Sequence, residues 1–155
     1  MGPITAPLDD RLRWFTGTLN RIVATSAETN GVFGVMEQWA PRGFSPPLHQ
    51  HEREDSALYV LEGEVLSECG GVRRLLRSGE MAFMPRAVPH TFLVQSDGAH
   101  VLELVTPGGF EQYHVDTSDP AQAVEMPPEA APDIERLVAA IGRYGAAIIG
   151  PPLID

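Results

Sequence analysis

Pro46-Pro47-Leu48-His49-Gln50-His51-Glu52-Arg53-Glu54-Asp55-Ser56-Ala57-Leu58-Tyr59-Val60-Leu61-Glu62-Gly63 is the stretch whose reading decides the fold. His49 and His51 stand two positions apart, so on an extended strand both imidazoles project to one face, where they could share a metal ion. The apolar run Ala57 to Leu61 behind them, closed by the turn former Gly63, reads as a strand. A His-x-His pair is weak evidence alone, and its frame strengthens it. Gly43 lies six positions before His49, and Gly79, Pro85 and His90 recur downstream as Gly-x5-Pro-x4-His, with a strand before the proline and another at the histidine.

Outward from this centre, short apolar segments alternate with turn signals. Arg21 to Thr25, Val32 to Trp39, Val65 to Ser67, Val72 to Leu76, Glu80 to Met84, Thr91 to Val94 and Val101 to Val105 read as further strands. Gly70-Gly71 marks a hairpin turn. Regular spacing of this kind predicts an all-β sandwich or barrel over about residues 12–116. The 15 glycines and 14 prolines agree with many short segments joined by turns. A Pro-rich link follows at 119–132. Then Ile134, Leu137, Val138 and Ile141 recur at helical spacing, predicting an α-helix over about 133–144 that covers an end of the barrel or a subunit contact. Residues 1–10 read as a leader packed on the body or on another subunit.

Length and composition bound the function. At 155 residues, 43% of them hydrophobic, the chain is read as one domain with its own core. Its formal net charge of −10 repels phosphate and anionic lipid, so neither nucleic acid nor membrane is expected as a partner. Cys69, the only cysteine, excludes an internal disulfide and reads as a packing residue. No run of about 18 apolar residues and no basic region leading into an apolar stretch is present, which predicts a soluble, cytoplasmic protein.

The two histidine segments resemble the paired motifs of the cupin superfamily, roughly Gly-x5-His-x-His-x3–4-Glu-x6-Gly and Gly-x5-Pro-x-Gly-x2-His-x3-Asn. Gly43, His49, His51 and Gly63 match the first, and Gly79, Pro85 and His90 the second. Leu58-Tyr59-Val60-Leu61-Glu62-Gly63-Glu64, Pro107-Gly108-Gly109-Phe110-Glu111 and the Arg143-Tyr144-Gly145 to Gly150-Pro151-Pro152 tail are similar to the quercetin dioxygenase-like small cupins. The resemblance implies a jelly-roll (double-stranded β-helix) barrel. It also implies a divalent transition metal (Fe, Ni, Co, Mn or Zn) at His49, His51 and His90, a small-molecule substrate, and a homodimer by fold-level analogy. Three departures stand out. Ser56 occupies the position of the motif glutamate, with Asp55 a possible substitute ligand and Glu54 beside it; Ala87 replaces a glycine, and Val94 an asparagine. Alternation along the strand puts Ser56, rather than Asp55, on the ligand face.

With the motif carboxylate gone, another is expected in the barrel. Glu103 interrupts the apolar run Val101 to Val105, where a charge is costly unless paired or functional. Glu37 sits in a similar place between Met36 and Gln38, so both are candidate catalytic acids. His100 and His114 read as surface or satisfied histidines, and Tyr59 as a packing residue on the face opposite Ser56. Phe33, Trp39, Phe83, Met84 and Phe92 read mainly as core, some of them lining an apolar pocket. These features predict a metal-dependent enzyme. The first reading is a non-haem dioxygenase acting on an enolic, phenolic or polyketide-like molecule. The alternatives are a non-oxidative isomerase, lyase or cyclase, and a ligand-binding cupin with a degenerate site.

Overall fold

The computed structural model describes residues 1–154. In chain order its elements are β1 (Leu12–Phe15), β2 (Thr18–Ala24), β3 (Gly34–Pro41), β4 (Pro47–His51), β5 (Asp55–Glu62), β6 (Glu64–Cys69), β7 (Val72–Arg77), β8 (Met81–Met84), β9 (His90–Val94) and β10 (Gly98–Thr106). The helix α1 (Glu111–Asp116), β11 (Asp119–Pro120), the helix α2 (Ile134–Ile141), a 3-10 turn (Gly142–Tyr144) and β12 (Ala146–Pro152) complete it. Two antiparallel sheets form, one in the order β11-β1-β2-β3-β10-β5-β8 and the other in the order β12-β4-β9-β6-β7. The chain is thus mostly β structure in a jelly-roll arrangement, as its alternating apolar segments require.

Alternation decides which side chains meet between the sheets. On β5, Ser56, Leu58 and Val60 are buried while Ala57 and Tyr59 are half-buried on the other face. Leu58 and Val60 join Val65, Leu76, Ala82, Met84, Phe92, Val94 and Val101 in the main core. Tight turns make this possible at defined points. At Gly63 φ is +94°, and a Cβ there would lie 2.6 Å from the carbonyl oxygen of Gly98, so the turn between β5 and β6 accepts only glycine. The β6-β7 hairpin turns at Gly70 and Gly71, both with positive φ.

The structure corrects several expectations. Phe83 is 59% exposed, because the inward positions of β8 belong to Ala82 and Met84. Phe33 is also partly exposed, lying in the loop just before β3, whereas Trp39, Met84 and Phe92 are buried as expected. The C-terminal α-helix is shorter than its periodicity suggested, running from Ile134 to Ile141 before tightening into the 3-10 turn, and Val138 points outward at 54% exposure. Asp133 caps it by accepting a hydrogen bond from the Arg136 main-chain N–H. The residues after Gly145, read as a tail, form β12, which pairs with β4 so that Ile148 lies opposite His49. The Pro-rich link contributes β11, which adds to the edge of the first sheet beside β1. The leader packs on the body, with Ile4 and Ala6 against the cluster of Leu12, Leu19 and Trp39. No helix among the described residues is long and apolar enough to cross a membrane.

Candidate metal centre

β4 and β9 lie side by side in the second sheet with His49 opposite His90, so the two sequence motifs converge through a single strand pairing. The hydrogen bond from the Ala87 main-chain N–H to the His51 carbonyl, 2.6 Å long, ties the loop before β9 to the end of β4. Ala87 adopts φ +59° to make that turn, which explains why the related motif carries glycine here: an L side chain tolerates the left-handed region at a cost of roughly 1 kcal/mol. One ligand atom from each of His49, His51 and His90 lies within 4.8 Å of the others. The rings of His51 and His90 stack 5.3 Å apart, and that of His49 meets His90 edge-on.

The ring nitrogens are oriented unequally. Nδ1 of His49 lies 2.7 Å from the Pro47 carbonyl oxygen, and Nδ1 of His90 lies 3.0 Å from that of Val88. A carbonyl accepts only, so both imidazoles carry their proton on Nδ1 and leave the Nε2 lone pair free. Both are held neutral. Burial, reinforced by the charges of neighbouring His90 and His51, lowers the His49 pKa to about 3, and burial lowers that of His90 to about 4. Both nitrogens of the fully buried His51 and the Oγ of buried Ser56 have no hydrogen-bond partner. The neutral imidazoles of His49 and His90, with free Nε2 lone pairs, and the unsatisfied buried ring of His51 form a donor set that could hold a divalent transition ion.

Beside the histidines opens a cavity of about 380 Å³. Its walls are largely apolar, from Phe44, Leu58, Met84, Phe92 and Phe110, and His49, His90 and Glu103 also line it. Glu103 reaches it because Val101, Glu103 and Val105 form the inner row of β10, with Glu103 opposite Met36 on one side and Leu58 on the other. Burial raises its carboxyl pKa above the usual range, against the opposing pull of the His51 charge, which puts the two groups in one electrostatic environment.

The other candidates fall elsewhere. Glu37 lies on the outer face of β3, with Oε1 3.3 Å from Nε2 of His100, whose ring stacks on Trp39, and it does not line the cavity. The inward residues of β3 are its neighbours Met36 and Gln38, which is why an identical local pattern gives Glu37 no access. Asp55 likewise turns away and pairs with Arg86 through Oδ2 at 3.0 Å, while Ser56 takes the inner face. His114, expected at the surface or satisfied, is instead 8% exposed on α1 and lines the cavity. Its Nδ1 has no partner, and burial, followed by the His51 charge, lowers its pKa to about 3. Sequence reasoning missed it because α1 is too short to display a period. It also missed the burial of Glu54, which sits 4% exposed in what reads as a charged loop.

The cupin domain family model matches residues 35–117, a span that contains all three clustered histidines and Glu103. Two quercetin 2,3-dioxygenases are similar to the chain. That of Bacillus subtilis (strain 168) is 30% identical over 118 residues, covering 76% of this chain and 35% of the relative. That of Aspergillus japonicus is 30% identical over 111 residues, covering 64% and 31%. The chain therefore spans about a third of the length of these relatives. Among solved structures, KdgF from Halomonas sp. superposes with a TM-score of 0.57 at 26% identity, covering 62% of this chain and 84% of that one. A predicted oxalate decarboxylase from Thermotoga maritima, at 19% identity and TM-score 0.56, shares the fold over 61% of this chain and 90% of its own.

Proposed function

This chain belongs to the cupin family, and from that premise we propose that it is a metal-dependent enzyme, a non-haem dioxygenase acting on an enolic, phenolic or polyketide-like small molecule. The observation that carries the reading is that His49, His51 and His90 bring one ligand atom each within 4.8 Å of one another beside an apolar cavity that His49, His90 and the carboxyl of Glu103 line. His49, His51 and His90 would hold the ion, which supplies Lewis acidity towards an anionic substrate oxygen and a site for oxygen chemistry. With no carboxylate among them, the three ligands leave the full +2 charge in place, which favours oxyanionic substrates over neutral ones.

Glu103 does the proton work in this reading. Burial raises its pKa, which makes the carboxylate a stronger base than an exposed one for taking the hydroxyl proton of an entering enol or phenol and later returning it. Phe44, Phe92 and Phe110 receive the flat apolar body of the substrate and exclude water from it. Similarity to two quercetin 2,3-dioxygenases supports the oxygenase class.

Ser56 in place of the motif carboxylate favours a second reading, in which the same ion and Glu103 catalyse an isomerisation, elimination or cyclisation without oxygen. Elemental analysis of the untagged protein, followed by oxygen uptake with flavonols and β-diketones, tests both. The oxygenase predicts about one transition ion per chain and oxygen consumed in step with substrate. Deuterium exchange into substrate under anaerobic conditions, with no oxygen uptake in air, would replace the first reading by the second. Protein without any transition ion would end both.

A further inference from the structure

His51 differs from its two companions in how its ring is held. His49 and His90 each lean Nδ1 on a main-chain carbonyl two residues earlier in the chain. His51, at the end of β4 and fully buried, has no such bond at either nitrogen. Its Nδ1 lies 3.5 Å from Oε2 of Glu54, and that oxygen is also buried and without a hydrogen-bond partner. A nitrogen able to donate and a carboxylate able only to accept thus face each other, both shut off from water and both unsatisfied. Leaving each alone is costly, and a single short approach satisfies both.

We propose that Glu54 is the positioning residue of His51. Its carboxylate accepts the Nδ1 proton and so aims the Nε2 lone pair at the point shared with His49 and His90. This rests on the metal reading above for its purpose, though not for its geometry. Glu54 stands on the Nδ1 side of the ring, and its carboxylate is absent from the group of ligand atoms that lie within 4.8 Å of one another. It therefore acts through His51 and is not a fourth ligand. The sequence has moved its carboxylate from the ligand position, now Ser56, to a place behind one of the ligands. A carboxylate behind a ligating imidazole fixes its tautomer and ring orientation and strengthens it as a metal ligand.

The test uses the full chain, labelled with 15N at histidine and free of metal, at a pH where all three rings are neutral. Long-range 1H–15N spectra report each tautomer, and competition against a chromophoric chelator reports Zn(II) affinity. In the wild type His51 is expected as the Nδ1–H tautomer. Glu54→Ala should move His51 towards the Nε2–H form, leave His49 and His90 unchanged, and lower Zn(II) affinity by about 10- to 100-fold. Glu54→Gln keeps the shape and an accepting oxygen, so it should fall between wild type and Glu54→Ala on both measures. It also decides the matter if the alanine variant does not fold.

An unchanged His51 tautomer in these variants overturns the proposal, as does Zn(II) affinity within twofold of wild type. A loss of Zn(II) in Glu54→Gln as complete as in His51→Ala, with the tautomer intact, would make Glu54 a direct ligand and equally overturn it. Should the wild type bind no Zn(II) at all, the functional reading fails, while the tautomers of the metal-free chain still decide what Glu54 does.

Discussion

The cavity has two unlike ends. One is built by the barrel itself, where His49, His90 and Glu103 project from β4, β9 and β10, within the residues that match the family model. The other is built by chain outside that match. Ile134, Leu137 and Ile141 of α2, and Ile148 and Pro152 of β12, close over the mouth, and Phe15 joins them from β1. At the first end burial lowers the pKa of His49 and His90 and raises that of Glu103; at the second the lining is mostly hydrocarbon, with Thr16 beside it. On the proposed function, the barrel supplies the chemistry and the added segments set the shape of what reaches it.

Substitutions can break this division, and the sharpest cut is at the histidines. His51→Ala should abolish stoichiometric metal, seen by elemental analysis, while a folded barrel persists by circular dichroism. A variant that kept full metal would dissolve the distinction between the ends. Next in size, Glu103→Gln should leave metal content unchanged and lower turnover on an identified substrate by about 10²- to 10⁴-fold, the usual range for a lost general acid or base. Unchanged turnover would reduce Glu103 to a wall residue.

At the other end the effects should be on choice. Ile141→Ala opens the mouth by several methyl groups, so the ratio of kcat/KM between two substrates differing by one methylene should shift about tenfold with metal unaffected. Loss of metal in that variant would show that the cap also builds the centre. The smallest effect separates the ends by acid. In the metal-free protein His49, His90 and His114 have folded pKa values of about 3, 4 and 3 against an ordinary 6.5. Between those limits the unfolded chain binds protons that the folded chain refuses, so stability falls as the pH drops below about 6.5. Denaturant titrations at pH 7 and pH 5 should show the fall. His114→Phe should shallow it by about 1 kcal/mol per pH unit.

What could be read from the sequence follows how local each signal is. The histidine positions were legible because each motif is a few residues long and its glycines and proline fix the turns around it. Glu103 was legible as a charge inside an apolar run, yet Glu37 carries nearly the same signature and faces outward. Only the registers of β10 against β3 and β5 separate the two. β12 was invisible because its partner, β4, lies far upstream and nothing in Ala146 to Pro152 names that partner. The resemblance to relatives did draw attention to that tail, without saying that it is a strand. Val138 was misassigned for a different reason: helical spacing gives a stripe several residues wide, and which edge of the stripe turns inward depends on what it packs against.

The pairing of β12 with β4 bears on the order in which the molecule can be made. The strand that carries His49 and His51 has β9 on one side and β12 on the other, and β12 is synthesised long after the rest of the barrel. As domains generally begin folding from the N-terminal side during synthesis, a nascent barrel passes through a stage with its histidine strand bare along one edge. A bare edge is a template for other chains. Mature protein covers it with β12, and the hydrogen bond from the Leu153 main-chain N–H to Ser45 Oγ, 2.9 Å long, fastens the chain just beyond that strand. A chain cut before Ala146 would keep its three clustered histidines and leave one edge of β4 unpaired, so the segment that completes the second sheet also shields the strand that carries His49 and His51.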